Sequence, residues 1–177
     1  MTDFDYWKNQ YKQTWDQSSQ RESAIAAYLS EASGKKIELV GLGAGSAEFL
    51  SGSASKRGHT KGDADLFVVG TNIYLEVTGP LVQSVDEQQD LWIRPDKVQN
   101  AKQNSASHEV WVVHHLPKKN LIRVVPLDSA FFKALETGAF PIVAPRIRGA
   151  EERYHSIPAK HACVKSCNVL IERLKNA

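Results

Sequence analysis

Two acidic residues stand against apolar runs in the middle of this chain. Asp65 opens Leu66-Phe67-Val68-Val69, and Glu76 sits inside Ile73-Tyr74-Leu75-Glu76-Val77-Thr78. Alternation along a strand puts Glu76 and Thr78 on one face, Leu75 and Val77 on the other. A carboxylate is costly to bury uncompensated, so Glu76 is either exposed or met by a cation or hydrogen-bond donor. Gly70-Thr71-Asn72 is short enough for a hairpin, which would bring Glu76 back beside Asp65. Carboxylates held together repel, which raises their proton affinity or recruits a divalent cation, and oxygen-only ligands suit Mg²⁺ or Mn²⁺. Asp63 lies one alternation away on the same face and could substitute for Asp65. Asp65 is preferred because it abuts the apolar run.

The elements that must position this pair read as a mixed α/β domain. A short aromatic helix is expected from Phe4 to Trp15, packing Trp7, Tyr11 and Trp15 onto the domain. A second helix is expected from Ser19 to Ser33, with Ile25, Tyr28, Leu29 and Ala32 at helical spacing and Gly34 as its stop. Strands are expected at Lys36 to Val40, Asp65 to Val69 and Asn72 to Val77. Gly79 to Arg94 reads as irregular. A helix from Asp96 to Asn104 turns Val98 and Ala101 inward, and strands follow at Glu109 to His114 and Leu121 to Val125. Ser129 to Glu136 is helical, and a last helix from Lys160 to Lys175 carries Cys163, Cys167, Leu170 and Leu174 on one stripe.

Asp65, ten intervening residues and then Glu76-Val77-Thr78 resemble the motif of the PD-(D/E)XK nucleases. The resemblance implies an αβββαβ restriction-endonuclease-like core over roughly residues 19–127: a mixed central sheet flanked by helices. Residues 1–18 would be a helical extension and 128–177 a helical and strand elaboration of one domain. It further implies Mg²⁺ (or Mn²⁺) on Asp65 and Glu76 and an endonuclease acting on nucleic acid, DNA foremost; composition makes the cytoplasm the default compartment, and a homodimer is one open assembly. In the family a lysine two residues past the Glu orients the attacking water; here that position is Thr78. Either another cation replaces it in space, or cleavage has been lost and a nucleic-acid-binding or assembly module remains. Lys97 and Lys102 flank the Val98/Ala101 stripe on opposite sides, so at most one of them reaches the site, and Lys61 is a third candidate. Glu22 continues the stripe of Ile25 and Leu29. It is read either as a metal or water ligand or as half of a Ser19–Glu22 capping box.

Other residues admit simpler readings. Gly41-Leu42-Gly43-Ala44-Gly45 after a strand looks like a nucleotide-binding turn, but a polar loop follows where such a fold needs a helix. His114 and His115 face opposite sides of a strand end and are taken as surface or satisfied histidines. Cys163 and Cys167, near His161, are taken as buried small hydrophobes, because no second pair of soft ligands exists. Two cysteines exclude a disulfide framework, and no apolar run approaches the roughly 20 residues that span a bilayer. The acidic start Met1-Thr2-Asp3-Phe4-Asp5 lacks the pattern of a secretion signal. Net charge is only +2, but basic residues cluster in three groups. These are Lys56, Arg57, His59 and Lys61; Lys118, Lys119 and Arg123; and Arg146, Arg148 and Arg153. They are solvated loops or a polyanion surface.

Overall fold

The computed structural model describes residues 3–40, 64–147 and 149–177. The glycine run, Asp63, the first basic group with Lys61, and Arg148 lie outside the described residues, as do the side chains of Trp7, Tyr11 and Trp15.

One continuous helix, α1 (Asp3–Ser33), replaces the two expected ones. Ser19 is therefore mid-helix, and the capping box with Glu22 is removed, because the amides there are already used by the helix. Positive φ at Gly34 ends it, the left-handed geometry that glycine adopts most cheaply. Strands β1 (Ile37–Leu39), β2 (Leu66–Val68) and β3 (Ile73–Thr78) follow, then β4 (Leu91–Ile93) and helix α2 (Pro95–Gln103). Next come β5 (Glu109–Leu116), β6 (Leu121–Pro126) and helix α3 (Ser129–Glu136). Short strands β7 (Ile142–Val143), β8 (Arg146–Ile147), β9 (Ala150–Glu151), β10 (Tyr154–Ile157) and β11 (Lys165–Ser166) precede helix α4 (Cys167–Lys175).

Six strands form the main sheet in the order β1-β2-β3-β5-β6-β11. The hairpin of β2 and β3 is present, with Leu66 opposite Leu75, and β3 then runs parallel to β5. A parallel neighbour needs a crossover, which β4 and α2 provide. One face of the sheet buries Leu75, Val77, Val113 and Val124 under Ile25 and Leu29 of α1 and Leu170 and Leu174 of α4. The other buries Val110, Val112 and Val125 against Val98 and Ala101 of α2 and Phe131 of α3. Alternation along β3 therefore sends Ile73, Leu75 and Val77 to the α1 side and Tyr74, Glu76 and Thr78 to the α2 side.

Two differences concern the C-terminal third. Four strands of two to four residues occupy 142–157, and β10 pairs with β4 and β7 in a separate small sheet. The expected helix from Lys160 is shorter. Lys165 and Ser166 pair with Val124 and Arg123 at the sheet edge, and α4 starts only at Cys167. Cys163 and Cys167 thus do not share a helical stripe, although both are half-buried and burial pushes both thiols up, Cys163 to about 11.

Candidate active site

Asp65 immediately precedes β2, and its backbone N–H donates to the Leu75 carbonyl at 3.1 Å, which extends the hairpin ladder by one bond. Its Oδ2 accepts from the Val77 backbone N–H at 2.9 Å. The side chain thus crosses the hairpin to the strand that carries Glu76. Asp65 and Glu76 are 6% and 8% exposed, and their buried carboxylates repel each other. Lys97, in the first turn of α2, places Nζ 3.0 Å from Glu76 Oε2 as an ion pair. That oxygen has no hydrogen bond of good geometry, so a lone pair stays available.

Charge accounts for the titration of the trio. Burial pushes the Glu76 carboxyl well above its ordinary range, the Asp65 charge adds to the shift, and Lys97 opposes it. Burial also raises Asp65, against the pull of Lys97 and the Val77 amide. Burial opposes the charge on Lys97, but Glu76 and Asp65 outweigh it and hold the ammonium above its usual value. Two buried carboxylates against one ammonium leave the site a positive charge short when both are ionised. The ligands that Asp65 and Glu76 offer are carboxylate oxygens, which fits a hard divalent cation that takes one or two carboxylates and completes its shell with water or phosphate. Asp65 and Glu76 are the residues that would hold it.

Lys102, by contrast, lies 3.5 Å from Glu136 on the exposed side of α2 and does not reach the pair. Glu22 is buried in α1 beside Arg21, whose Nη1 donates to the Gly79 carbonyl at 2.7 Å and whose Nη2 donates to the Pro80 carbonyl. Helix α1 thus crosses the end of β3. Among the described residues no three carboxylates, imidazoles or thiols converge, so Glu22 does not complete a three-ligand cage. Thr78 is half-buried on the Glu76 face but lines a neighbouring cavity.

Sequence reasoning missed His114 and Arg123 as a buried pair. Arg123 was placed in a surface basic group, yet it is buried. Its Nη1 donates to the carbonyls of Glu87 and Gln89 at 3.0 and 3.1 Å, and its Nη2 faces His114 Nδ1 at 3.4 Å. Burial, with help from Arg123, pushes the imidazole down to about 3, so His114 is neutral. The cross-strand register of His114 and Arg123 was the signal that could have found them, because one face of two paired strands shares its burial.

The fold and the acidic pair together define a mixed α/β protein whose sheet and crossover helix assemble a buried Asp–Glu–Lys trio. No family model matches the chain, and no curated protein does. Among solved structures it is similar to a nuclease from a fusselovirus, at 14% identity and a TM-score of 0.49, over 87% of this chain and 86% of that one. No helix among the described residues is long and apolar enough to cross a membrane.

Proposed function

We propose that the chain is a PD-(D/E)XK-like phosphodiesterase that cleaves nucleic acid, DNA foremost, with Mg²⁺ or Mn²⁺ on Asp65 and Glu76. The observation that carries this reading is the 3.0 Å approach of Lys97 Nζ to Glu76 Oε2. It supports the replacement of the strand lysine, absent at Thr78, by a cation from the crossover helix. The metal would supply Lewis-acid polarisation of the phosphate and a more acidic water. Asp65 and Glu76 present the oxygens for it, fixed by the Val77 amide and by Lys97. The Lys97 ammonium orients a water or a phosphate oxygen beside the pair and offsets the charge that develops on the phosphate. Its raised proton affinity suits a donor and an electrostatic group, not a general base at neutral pH.

Metal-dependent nicking of a supercoiled plasmid tests the reading. Wild type should cut with Mg²⁺ or Mn²⁺ and stop with chelator, and Glu76→Gln should be inactive. Thr78 favours a second reading, a non-catalytic nucleic-acid-binding or assembly protein with the same core. That reading wins if wild type binds DNA without cutting it while Thr78→Lys cuts.

A further inference from the structure

Beside the acidic trio lies a cavity that it does not use. The space measures about 540 Å³ and is lined by Thr78, Gln89, Trp92, His114, Tyr154 and Ser156, among others. Its volume falls within the roughly 300–1,000 Å³ of small-ligand sites. Two chain segments join it to the trio. Thr78 shares a face of β3 with Glu76, and β4, which carries Trp92, passes through Arg94 into α2 and Lys97.

The lining indicates what would fit. Trp92 remains 41% exposed although its indole stacks on Tyr154, with ring centroids 5.6 Å apart and planes 21° apart. An indole steadied by a second ring and still open to solvent is a platform for another planar ring. On the cavity wall His114 is only 3% exposed. Arg123 can only donate, so the 3.4 Å contact makes His114 Nδ1 an acceptor and leaves the proton on Nε2. The imidazole therefore carries its donor on Nε2 and is fixed from behind by Arg123. The Thr78 hydroxyl adds a group that both donates and accepts, and Gln89, whose Oε1 accepts from the Asp86 backbone N–H at 2.8 Å, adds its side-chain N–H donors. Ser156 already donates to Asp90 at 3.0 Å, which fixes one further polar group on the wall. A stacking face combined with a fixed donor and adaptable polar groups matches the face and edge of a heteroaromatic ring, not an acyl chain.

We propose that this cavity receives one unpaired nucleobase of the strand whose phosphate lies at Asp65 and Glu76, so that the substrate is single-stranded or locally unpaired DNA. This rests on the reading of the acidic pair as a phosphodiesterase site. A base in intact duplex cannot reach such a pocket without leaving the stack, and an unpaired one enters at much lower cost.

The test compares binding of the full chain to three probes of equal length: a thymidine oligomer, a base-free deoxyribose-phosphate oligomer and a blunt duplex. Ca²⁺ replaces Mg²⁺ so that strands are bound and not cut. The first two probes carry the same phosphates, so their difference isolates the base. Wild type should prefer the thymidine strand over the base-free strand by about tenfold, the size of one stacked base, and also over the duplex. Trp92→Ala should abolish the preference, and Trp92→Phe should keep most of it. Equal binding of the thymidine and base-free strands by wild type overturns the base pocket and leaves the phosphodiesterase reading standing. So does a preference that survives in Trp92→Ala, or tighter binding of the duplex. Failure of wild type to bind any of the three overturns both readings together.

Discussion

Lys97 and Lys102 sit five residues apart on one helix, and their surroundings differ in kind. Lys97 is held by a buried carboxylate, while Lys102 lies opposite Glu136 in solvent. Lys97→Ala should lower metal-dependent cleavage by roughly 10²–10⁴-fold, the usual worth of a positioned proton donor, with DNA affinity nearly unchanged. Lys102→Ala should cut at the wild-type rate, because exposed pairs contribute little. Steady-state nicking rates check both, and Thr78→Lys in the Lys97→Ala background should recover part of the loss. The trio also makes a claim about pH. The folded carboxyls of Glu76 and Asp65 retain protons that the unfolded chain has already released. Their contribution to the stability of the metal-free protein therefore falls as pH rises from the ordinary carboxylate range through the raised folded values. His114 acts in the opposite sense. Its folded value of about 3 lies below the ordinary 6.5, so it costs stability as pH falls from 6.5, by roughly 1.4 kcal/mol per pH unit until about pH 3. Urea melts across this range separate the two effects. Glu76→Gln should be more stable than wild type at neutral pH without metal, and His114→Gln should lose the acid-side decline.

Where β3 ends, the backbone of Gly79 packs against that of His115 with no room for a side chain. Gly79 has φ of +137°, and a Cβ built there would lie 2.1 Å from the His115 carbonyl oxygen. Gly79→Ala must move one strand or the other, at a cost of roughly 2–4 kcal/mol. The same shift would disturb the Arg21 bond to the Gly79 carbonyl, so thermal melts should show a lower Tm and a weakened grip of α1 on the site. The strand that leads to this point was legible from sequence because Ile73, Leu75 and Val77 alternate, and the hairpin followed from the short Gly70-Thr71-Asn72 link. Helix α2 was legible for the same kind of reason, through Val98 and Ala101. Sequence could not say which lysine faces the sheet. That depends on the roll of α2, which is set by how β4 delivers the chain to Pro95. Strand β4 and the strands from Ile142 to Ile157 are two to four residues long, too short to carry a period. Pairing between residues far apart in the chain decides them, as it does for β11, where Lys165 and Ser166 join β6 and delay the start of α4. The break expected before Ser19 failed for a related reason. A polar Gln17-Ser18-Ser19 stretch imitates a helix start, yet α1 runs through it from Asp3.

At the scale of the molecule, the small net charge of +2 makes the placement of charge decisive for a polyanion. The structure thins the basic groups read from the sequence. Arg123 is committed to the Glu87 and Gln89 carbonyls, and Lys119 is paired with Glu87. Lys118, Arg146 and Arg153 remain exposed among the described residues. Arg146 lies in the β8–β9 hairpin, next to Ile147 of the cavity wall. A strand that leaves the acidic pair past this wall would meet it. Single-stranded DNA affinity should therefore fall with rising salt, and each neutralised phosphate should add about 0.7 to the slope of log affinity against log salt. Arg146→Ala should lower that slope by about one contact and weaken binding evenly across sequences, because a phosphate contact carries no base information. Fluorescence anisotropy titrations at four or five salt concentrations would measure both slopes. An unchanged slope in Arg146→Ala would place the strand on another side of the molecule. A slope near zero in wild type would remove the polyanion surface altogether, whatever the acidic pair does with metal.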